Sequence, residues 1–295
     1  MFQRILIPLD GSEITEICLP YGEDFARNFG SELTLYHVRE SDDEVVEHIH
    51  QVYLDRLAES TKQKLMNAGA QGFKVFTKIQ SGFPAESTCT LVDQNKIDLI
   101  IMASVSSSGL KISKKLGSVA DQLCRTLPAP ILLIRPQRSC SDGNQKLITK
   151  ILVPLDGSDL SKMALPVAKE LALKLKVPII LFQMVSTIYP YVAGNYIDVT
   201  GSEQMNDSLR KLVGDEIFSI EKEFAENGLI VNVDISTGTD AANEIMLVCK
   251  ELAVDLIVMA THGRSGLGKW VLGSVAEKVL RYGETPLLLI NARAR

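Results

Sequence analysis

The chain has 295 residues, 46% hydrophobic and 23% charged, with a net charge of −5 at neutral pH. That length suits two domains with real cores, and the mildly acidic balance gives no basis for broad binding to nucleic acid or to an acidic membrane. The sequence contains no apolar run of about 18 residues, and Met1 leads straight into a strand with no basic, apolar leader, so a cytoplasmic protein without a membrane span is expected.

Short apolar runs alternate with longer amphipathic stretches. Strands are predicted over 5–9, 33–38, 73–79, 99–103 and 131–134, and helices over 13–29, 44–68, 84–94 and 119–127, with Pro84 tolerated in a first helical turn. A polar stretch with Pro and Gly, 135–146, reads as a linker. The order then recurs: strands over 151–155, 179–184, 230–235, 256–260 and 287–290, and helices over 160–174, 203–226, 241–252 and 275–281. Alternation of this kind means parallel pairing with crossover helices, an α/β class.

The sequence also repeats. ILIPLDGS at 5–12 returns as ILVPLDGS at 151–158, DLIIM at 98–102 as DLIVM at 255–259, and LGSVA at 116–120 as LGSVA at 272–276. One domain is therefore written twice, over 1–136 and 147–295, and the second copy carries a net insertion of about ten residues, mainly within 185–202. This insertion follows the second strand, so it starts at the edge of the sheet where ligands bind. Its Tyr189, Tyr191 and Tyr196 can cover a bound base, or pack on their own helix or on the other copy. The five cysteines, Cys18, Cys89, Cys124, Cys140 and Cys249, have no C-x-x-C pairing; four fall in predicted helices as small packing residues, and Cys140 falls in the linker.

Chemistry concentrates in 255–291, where a buried-type strand runs into a glycine-rich loop and then a helix. Glycines let backbone N–H groups approach an anion, and the first amides of a helix lack internal partners. Gly273, Ser274 and Val275 are therefore expected to donate to phosphate oxygens, with the Ser274 hydroxyl as a further donor; a merely flexible crossover is the alternative. Gly263–Trp270 (GRSGLGKW) has the glycines and the lysine, Lys269, of a Walker A loop, but Trp270 stands where Ser or Thr should hold magnesium. Gly263, Gly266 and Gly268 come in the reverse of the order that a dinucleotide fingerprint needs. What remains is Ala260, two residues, Gly263, nine residues, then Gly273-Ser274. This resembles the nucleotide loop of the universal stress proteins, Gly-x-x-Gly, nine residues, then Gly-Ser or Gly-Thr, with Ala260 in place of the first glycine.

The resemblance spans nearly the whole chain and implies a tandem member of that family. The fold it implies is two repeated doubly wound domains, each a five-stranded parallel sheet of order 3-2-1-4-5 with helices on both faces. It places a nucleotide contact at Pro154, Leu155 and Asp156, at the end of the first strand of the second copy, although capping of the next helix is the other role open to Asp156. It sets the Met184 backbone against adenine and makes His262 a phosphate contact; no catalytic residue and no resident metal are expected. Domains of the family pair through their last strands, so 131–134 is expected to face 287–290 within the chain, and two chains to pair again as a homodimer. In the first copy the loop is degenerate: Ala103–Gly117 is one residue longer than Ala260–Gly273, Ser106 or Ser107 replaces the glycine, and there is no histidine. Weaker nucleotide binding or none is expected there. Lys111, Lys114 and Lys115 can attract an anion or form a solvated cluster. His48 and His50, two apart on a helix, point to different faces, which opposes metal binding.

Two functional readings follow. One is a module that holds ATP or AMP and regulates stress physiology through a protein partner. The other is an enzyme that slowly hydrolyses ATP or transfers its phosphate, with Mg2+ accompanying the ATP. The first is favoured because no general base and no carboxylate cluster beyond Asp156 can be assigned near the loop. A related ATP-pyrophosphatase chemistry would need Ser-Gly-Gly-x-Asp-Ser after the first strand, and Leu155–Asp159 (LDGSD) is not that.

Overall fold

The structure is a computed structural model that describes residues 1–39, 44–105, 116–136, 146–186, 199–262 and 272–291. The chain divides into two compact units, the first of Met1–Leu147, Gly268–Leu272 and Leu280–Arg295, the second of Ile148–Leu267 and Gly273–Val279. The first repeat runs β1 (Arg4–Pro8), α1 (Glu13–Glu16), α2 (Leu19–Phe29), β2 (Glu32–Arg39), α3 (Glu44–Asn67), β3 (Lys74–Ser81), α4 (Pro84–Asn95), β4 (Leu99–Ala103), α5 (Ser118–Thr126) and β5 (Ile131–Ile134). The second runs β6 (Ile151–Leu155), α6 (Asp159–Lys162), α7 (Ala164–Leu175), β7 (Ile179–Ser186), α8 (Val199–Glu226), β8 (Val231–Gly238), α9 (Ala241–Glu251), β9 (Leu256–Ala260), α10 (Ser274–Tyr282) and β10 (Leu287–Ile290).

In the first unit the strand order is β3-β2-β1-β4-β5, all parallel, and β10 then lies antiparallel beside β5 with Leu287 opposite Leu133 and Leu289 opposite Ile131. In the second unit the order is β8-β7-β6-β9, again parallel. The two-repeat, doubly wound α/β fold expected from the sequence is the fold observed. Every residue of β4, β6 and β9 is buried, which is why these segments read as unbroken apolar runs: helices cover both faces of a parallel sheet.

A carboxylate ties the start of each fourth strand to the first. Asp98 accepts from the N–H groups of Gln3 (2.8 Å) and Arg4 (3.0 Å), and Asp255 accepts from the Thr149 N–H (2.9 Å). The repeated Asp-Leu-Ile is thus a device of sheet register, because it satisfies amides at the mouth of β1 and β6 that would otherwise lack partners.

Several boundaries differ from the sequence reading. The helix expected over 13–29 is two helices, and so is the one expected over 160–174. Pro20 and Pro166 have no N–H and their rings crowd the carbonyl four residues back, at Glu16 and Lys162, the last residues of α1 and α6. Cys18 consequently sits at the break, at the N-cap position of α2 and without a side-chain cap bond, instead of inside a helix. The third strands reach Ser81 and Gly238, two and three residues further than expected, because their ladders stay in register to the ends of β2 and β7 (Arg39 opposite Ser81, Ser186 opposite Gly238).

Cys18, Cys124 and Cys249 are buried, and burial pushes the Cys124 thiol up to about 12, so it packs as a small apolar group. Cys140 and Tyr189, Tyr191 and Tyr196 lie outside the described residues. The first unit is closed by hydrogen bonds as well as by its sheet: Arg135 donates to the Leu280 carbonyl (2.8 Å) and Asn291 to that of Leu127 (2.5 Å). Burial draws the Arg135 guanidinium down to about 10, which still leaves it charged at neutral pH. Among the described residues no helix is long and apolar enough to cross a membrane.

On α3, Leu54, Ala58, Thr61 and Leu65 form the buried stripe, whereas Val45, Ile49 and Val52 are exposed. His48 is exposed and His50 lies edge-on against His37, ring centroids 4.0 Å apart, so the two histidines of α3 do point apart. His37 donates through Nδ1 to the Leu9 carbonyl at 2.8 Å, since a carbonyl can only accept. Burial, then the proximity of His37 and Arg39, hold the His50 pKa below its ordinary 6.5. The unfolded chain therefore binds a proton near that value while the folded chain resists it. Stability is expected to be full above pH 6.5 and to fall as the pH drops toward the lower folded-state pKa. Urea unfolding at neutral and mildly acidic pH should show this loss, and His50→Gln should flatten it.

Candidate functional site

The first strand of each repeat is paired on both sides, by β2 and β4 in one unit and by β7 and β9 in the other. Chain direction reverses there, and a crevice opens beyond the carboxyl ends of the strands. In the second unit this crevice is a cavity of about 290 Å³. Pro154, Leu155 and Asp156 reach it from the end of β6, Met184 from β7, Ala260 and His262 from the end of β9, and Gly273, Ser274 and Val275 from the start of α10. Of the residues proposed from sequence, only Gly263 falls outside the described residues, together with Gly266, Gly268, Lys269 and Trp270.

Sequence reasoning passed over Phe182, Ala241, Ile245 and Met259, which supply the apolar walls of the same cavity. The signal existed: Phe182 is two residues from Met184 on one face of β7, and Ala241 and Ile245 are four apart on one face of α9.

The polar groups are arranged by local bonding. Asp156 Oδ1 accepts from the Ser158 N–H (3.0 Å) and hydroxyl (2.6 Å), and the Ser158 Oγ in turn accepts from the Ser161 N–H (3.1 Å). Ser158 thus caps α6, and Asp156 holds the turn in place from the end of the strand. Gly273 departs from expectation, because its N–H donates to the Thr261 carbonyl at 2.9 Å and is not left for an anion. The matching bond in the first unit runs from Gly117 N–H to Ser104 O at 2.8 Å, so each crossover loop is clasped at its base. The first bond inside α10 is from Glu277 N–H to Gly273 O, which leaves the amides of Ser274, Val275 and Ala276 without intrahelical acceptors.

His262 sits at the same end of the cavity. Its Nδ1 is 2.9 Å from the Thr261 hydroxyl, and its Nε2 is buried with no hydrogen-bond partner. An unsatisfied buried group of this kind costs about 1–3 kcal/mol, which a ligand oxygen would recover. Just before Ala241, Asp240 caps α9 through the amides of Ala242 and Asn243 and pairs with Lys278 at 2.9 Å. The Lys278 bond, ahead of the helix amides, holds the Asp240 carboxyl below the usual range.

The first unit has its own cavity of about 300 Å³ at the equivalent place, lined among others by Asp10, Tyr36, Thr88, Val105 and Ser118. Ser106, Ser107, Lys111, Lys114 and Lys115 lie outside the described residues. Tyr36 donates to Gln80 Oε1 at 3.1 Å, and burial pushes its phenol up to about 12, so it stays neutral. Among the described residues no cluster of His, Cys, Asp and Glu is suited to a metal ion.

Tandem doubly wound domains, each with a cavity at its switch point lined by the start of a helix and by an aspartate at a strand end, define the class of α/β protein to which the chain belongs. The description "Universal stress protein family" matches residues 1–135 and 148–291, and the chain belongs to that family as a tandem member. It is 33% identical over 150 residues to a universal stress protein of Methanocaldococcus jannaschii, covering 50% of this chain and 85% of the relative. It is 31% identical over 154 residues to one of Bacillus subtilis, covering 49% and 100%. Half of this chain thus spans most or all of each relative. Among solved structures, a functionally unknown protein from Pseudomonas aeruginosa PAO1 has a TM-score of 0.73 at 18% identity, over 99% of this chain and 93% of that one. A universal stress protein from Archaeoglobus fulgidus DSM 4304 has a TM-score of 0.66 at 21% identity, over 99% of both chains. At such identities the likeness is one of fold.

The two turns should respond differently to mutation. Ser158→Ala removes a cap bond and should cost about 0.5–2 kcal/mol. Ser12 makes no side-chain cap bond to α1, so Ser12→Ala should cost less; urea unfolding of the full chain reads the difference.

Proposed function

We propose that the second repeat binds an adenine nucleotide, ATP or AMP, and that the protein acts as a regulatory module of stress physiology. The observation that supports this most is the buried, unpartnered Nε2 of His262 beside the open amides of α10, a pair of donor sets suited to phosphate oxygens. Asp156, in the same lining, suits the hydroxyls of a ribose, and the apolar walls from Phe182, Ile245 and Met259 suit a base. If ATP is the ligand, its phosphates would hold the Mg2+, because Asp156 is the one carboxylate among the described lining residues. The domains are taken as 1–136 and 147–295. A cytoplasmic location, a homodimer and a protein partner that reads the bound state belong to the same proposal.

Calorimetry with ATP and with AMP tests it. Gly273→Val places a branched side chain in the lining and should abolish binding with native circular dichroism, while Ser274→Ala removes one hydroxyl and should weaken it by up to about tenfold, roughly 0.5–1.5 kcal/mol. The reverse order of effects would discard the site. Turnover of ATP should be far below the enzyme median; a value on the order of 10 per second would replace the regulatory reading with the enzymatic one.

A further inference from the structure

We propose that the outer edge of the second unit, β8 with the flank of α8 beside it, is the surface on which a second copy of this chain pairs, strand against strand and antiparallel. The proposal rests on the homodimer of the proposed function, gives it a surface, and is independent of what the cavities hold. No residue of β8 is buried, although every residue of β6 and β9 in the same unit is, and among the described residues β7 is its one neighbour. Ile179 donates its N–H to the Ile230 carbonyl at 2.9 Å, so the even-numbered residues of β8 turn their backbone groups to β7. By the alternation of a strand, Val231, Val233 and Ile235 turn theirs outward. An edge of this kind pairs with another chain unless charge or proline blocks it. β3, the edge strand of the first unit, carries Lys74 and Lys78, whereas β8 has no lysine, arginine or proline and one charge, Asp234.

The side chains of β8 fit a second β8. About a two-fold axis at Val233, that residue faces the partner's Val233, Val231 faces the partner's Ile235, and Asn232 faces the partner's Asp234, an amide donor against a carboxylate. The apolar pairs are formed by the residues whose backbone groups point outward, so one register joins both the side chains and the amides. An axis one residue further on would set Asp234 against the partner's Asp234, like charges in direct opposition.

The helix selects the same axis. A Cβ on Gly214 would stand 3.3 Å from the Phe218 ring and 3.8 Å from Ile235 Cδ1, so Gly214 lies level with Ile235 and Phe218 lies along this edge. As the crossover between two parallel strands, α8 runs opposite to β8. Four residues of helix rise about 6 Å and two of strand about 6.6 Å, which brings Phe218 level with Val233. The axis that fits the strand therefore also brings Phe218, 52% exposed in the single chain, toward the partner's Phe218. Asp215 and Lys222, both exposed, stand three residues before and four after it, so each comes opposite the other's counterpart, Asp215 by the partner's Lys222 and Lys222 by the partner's Asp215.

Sedimentation velocity on the full chain tests it. The wild type should sediment as two copies, twice 32.4 kDa. Phe218→Lys, at an exposed position, and Val233→Pro, which removes an N–H that points away from β7, should each raise the dissociation constant of the dimer at least about tenfold with native circular dichroism. Should Val233→Pro disturb the fold, Phe218→Lys decides alone. For the register, the double variant Asn232→Cys, Asp234→Cys should cross-link into a covalent dimer on mild oxidation, above the level of the wild type and of Asn232→Cys by itself. A dimer that Phe218→Lys leaves intact, or a double variant that cross-links no more than the wild type, would overturn this surface and leave the homodimer standing. A monomeric wild type would overturn both, while ATP binding by calorimetry would still report on the nucleotide reading by itself.

Discussion

The pairing of each repeat's first strand with two neighbours, one on each side, is the constraint from which the rest follows. A parallel strand flanked on both sides sends one crossover to the left and receives another from the right, so no helix can cover the carboxyl end of the strand itself. The crevice is a consequence of topology before any side chain is chosen. The aspartate clamps at Asp98 and Asp255 join the starts of β4 and β9 to the starts of β1 and β6.

On this frame the two ends of each crossover loop are joined at its base. The bonds from Gly117 to Ser104 and from Gly273 to Thr261 bring the end of the loop back beside the strand it left, in both repeats. The first turn of the following helix then presents its open amides to the crevice whatever the loop contains. The two repeats thus share this backbone arrangement and differ in the side chains beside it, Val105 in one and His262 in the other. Duplication let the two copies keep that arrangement and diverge in the side chains.

The last strand of the second repeat belongs to the first unit. β10 lies antiparallel to β5 and is counted with the first unit, as are Leu280 and Asn291, which accept from Arg135 and donate to Leu127. α10 begins in the second unit, at the cavity, and ends in the first.

By itself the sequence determined the class, the duplication and the chain segments that meet at the site. Buried parallel strands read as apolar runs, repeats are visible by comparison of the chain with itself, and a glycine-serine step into a helix marks a phosphate-type backbone wherever it lies. Nine of the ten proposed site residues are in the cavity lining because they sit at strand ends and a helix start, places that a linear pattern identifies. Only the tertiary structure decided how those residues are spent. It showed that Gly273 gives its N–H to Thr261, that Ser158 and not Asp156 caps the helix, and that His262 has a buried nitrogen with no partner. It also showed that Pro20 and Pro166 split helices that their apolar periodicity joined. The reason is common to all of these: periodicity and motif spacing report which groups are near a place, whereas hydrogen bonding is a competition among every donor and acceptor that folding brings there.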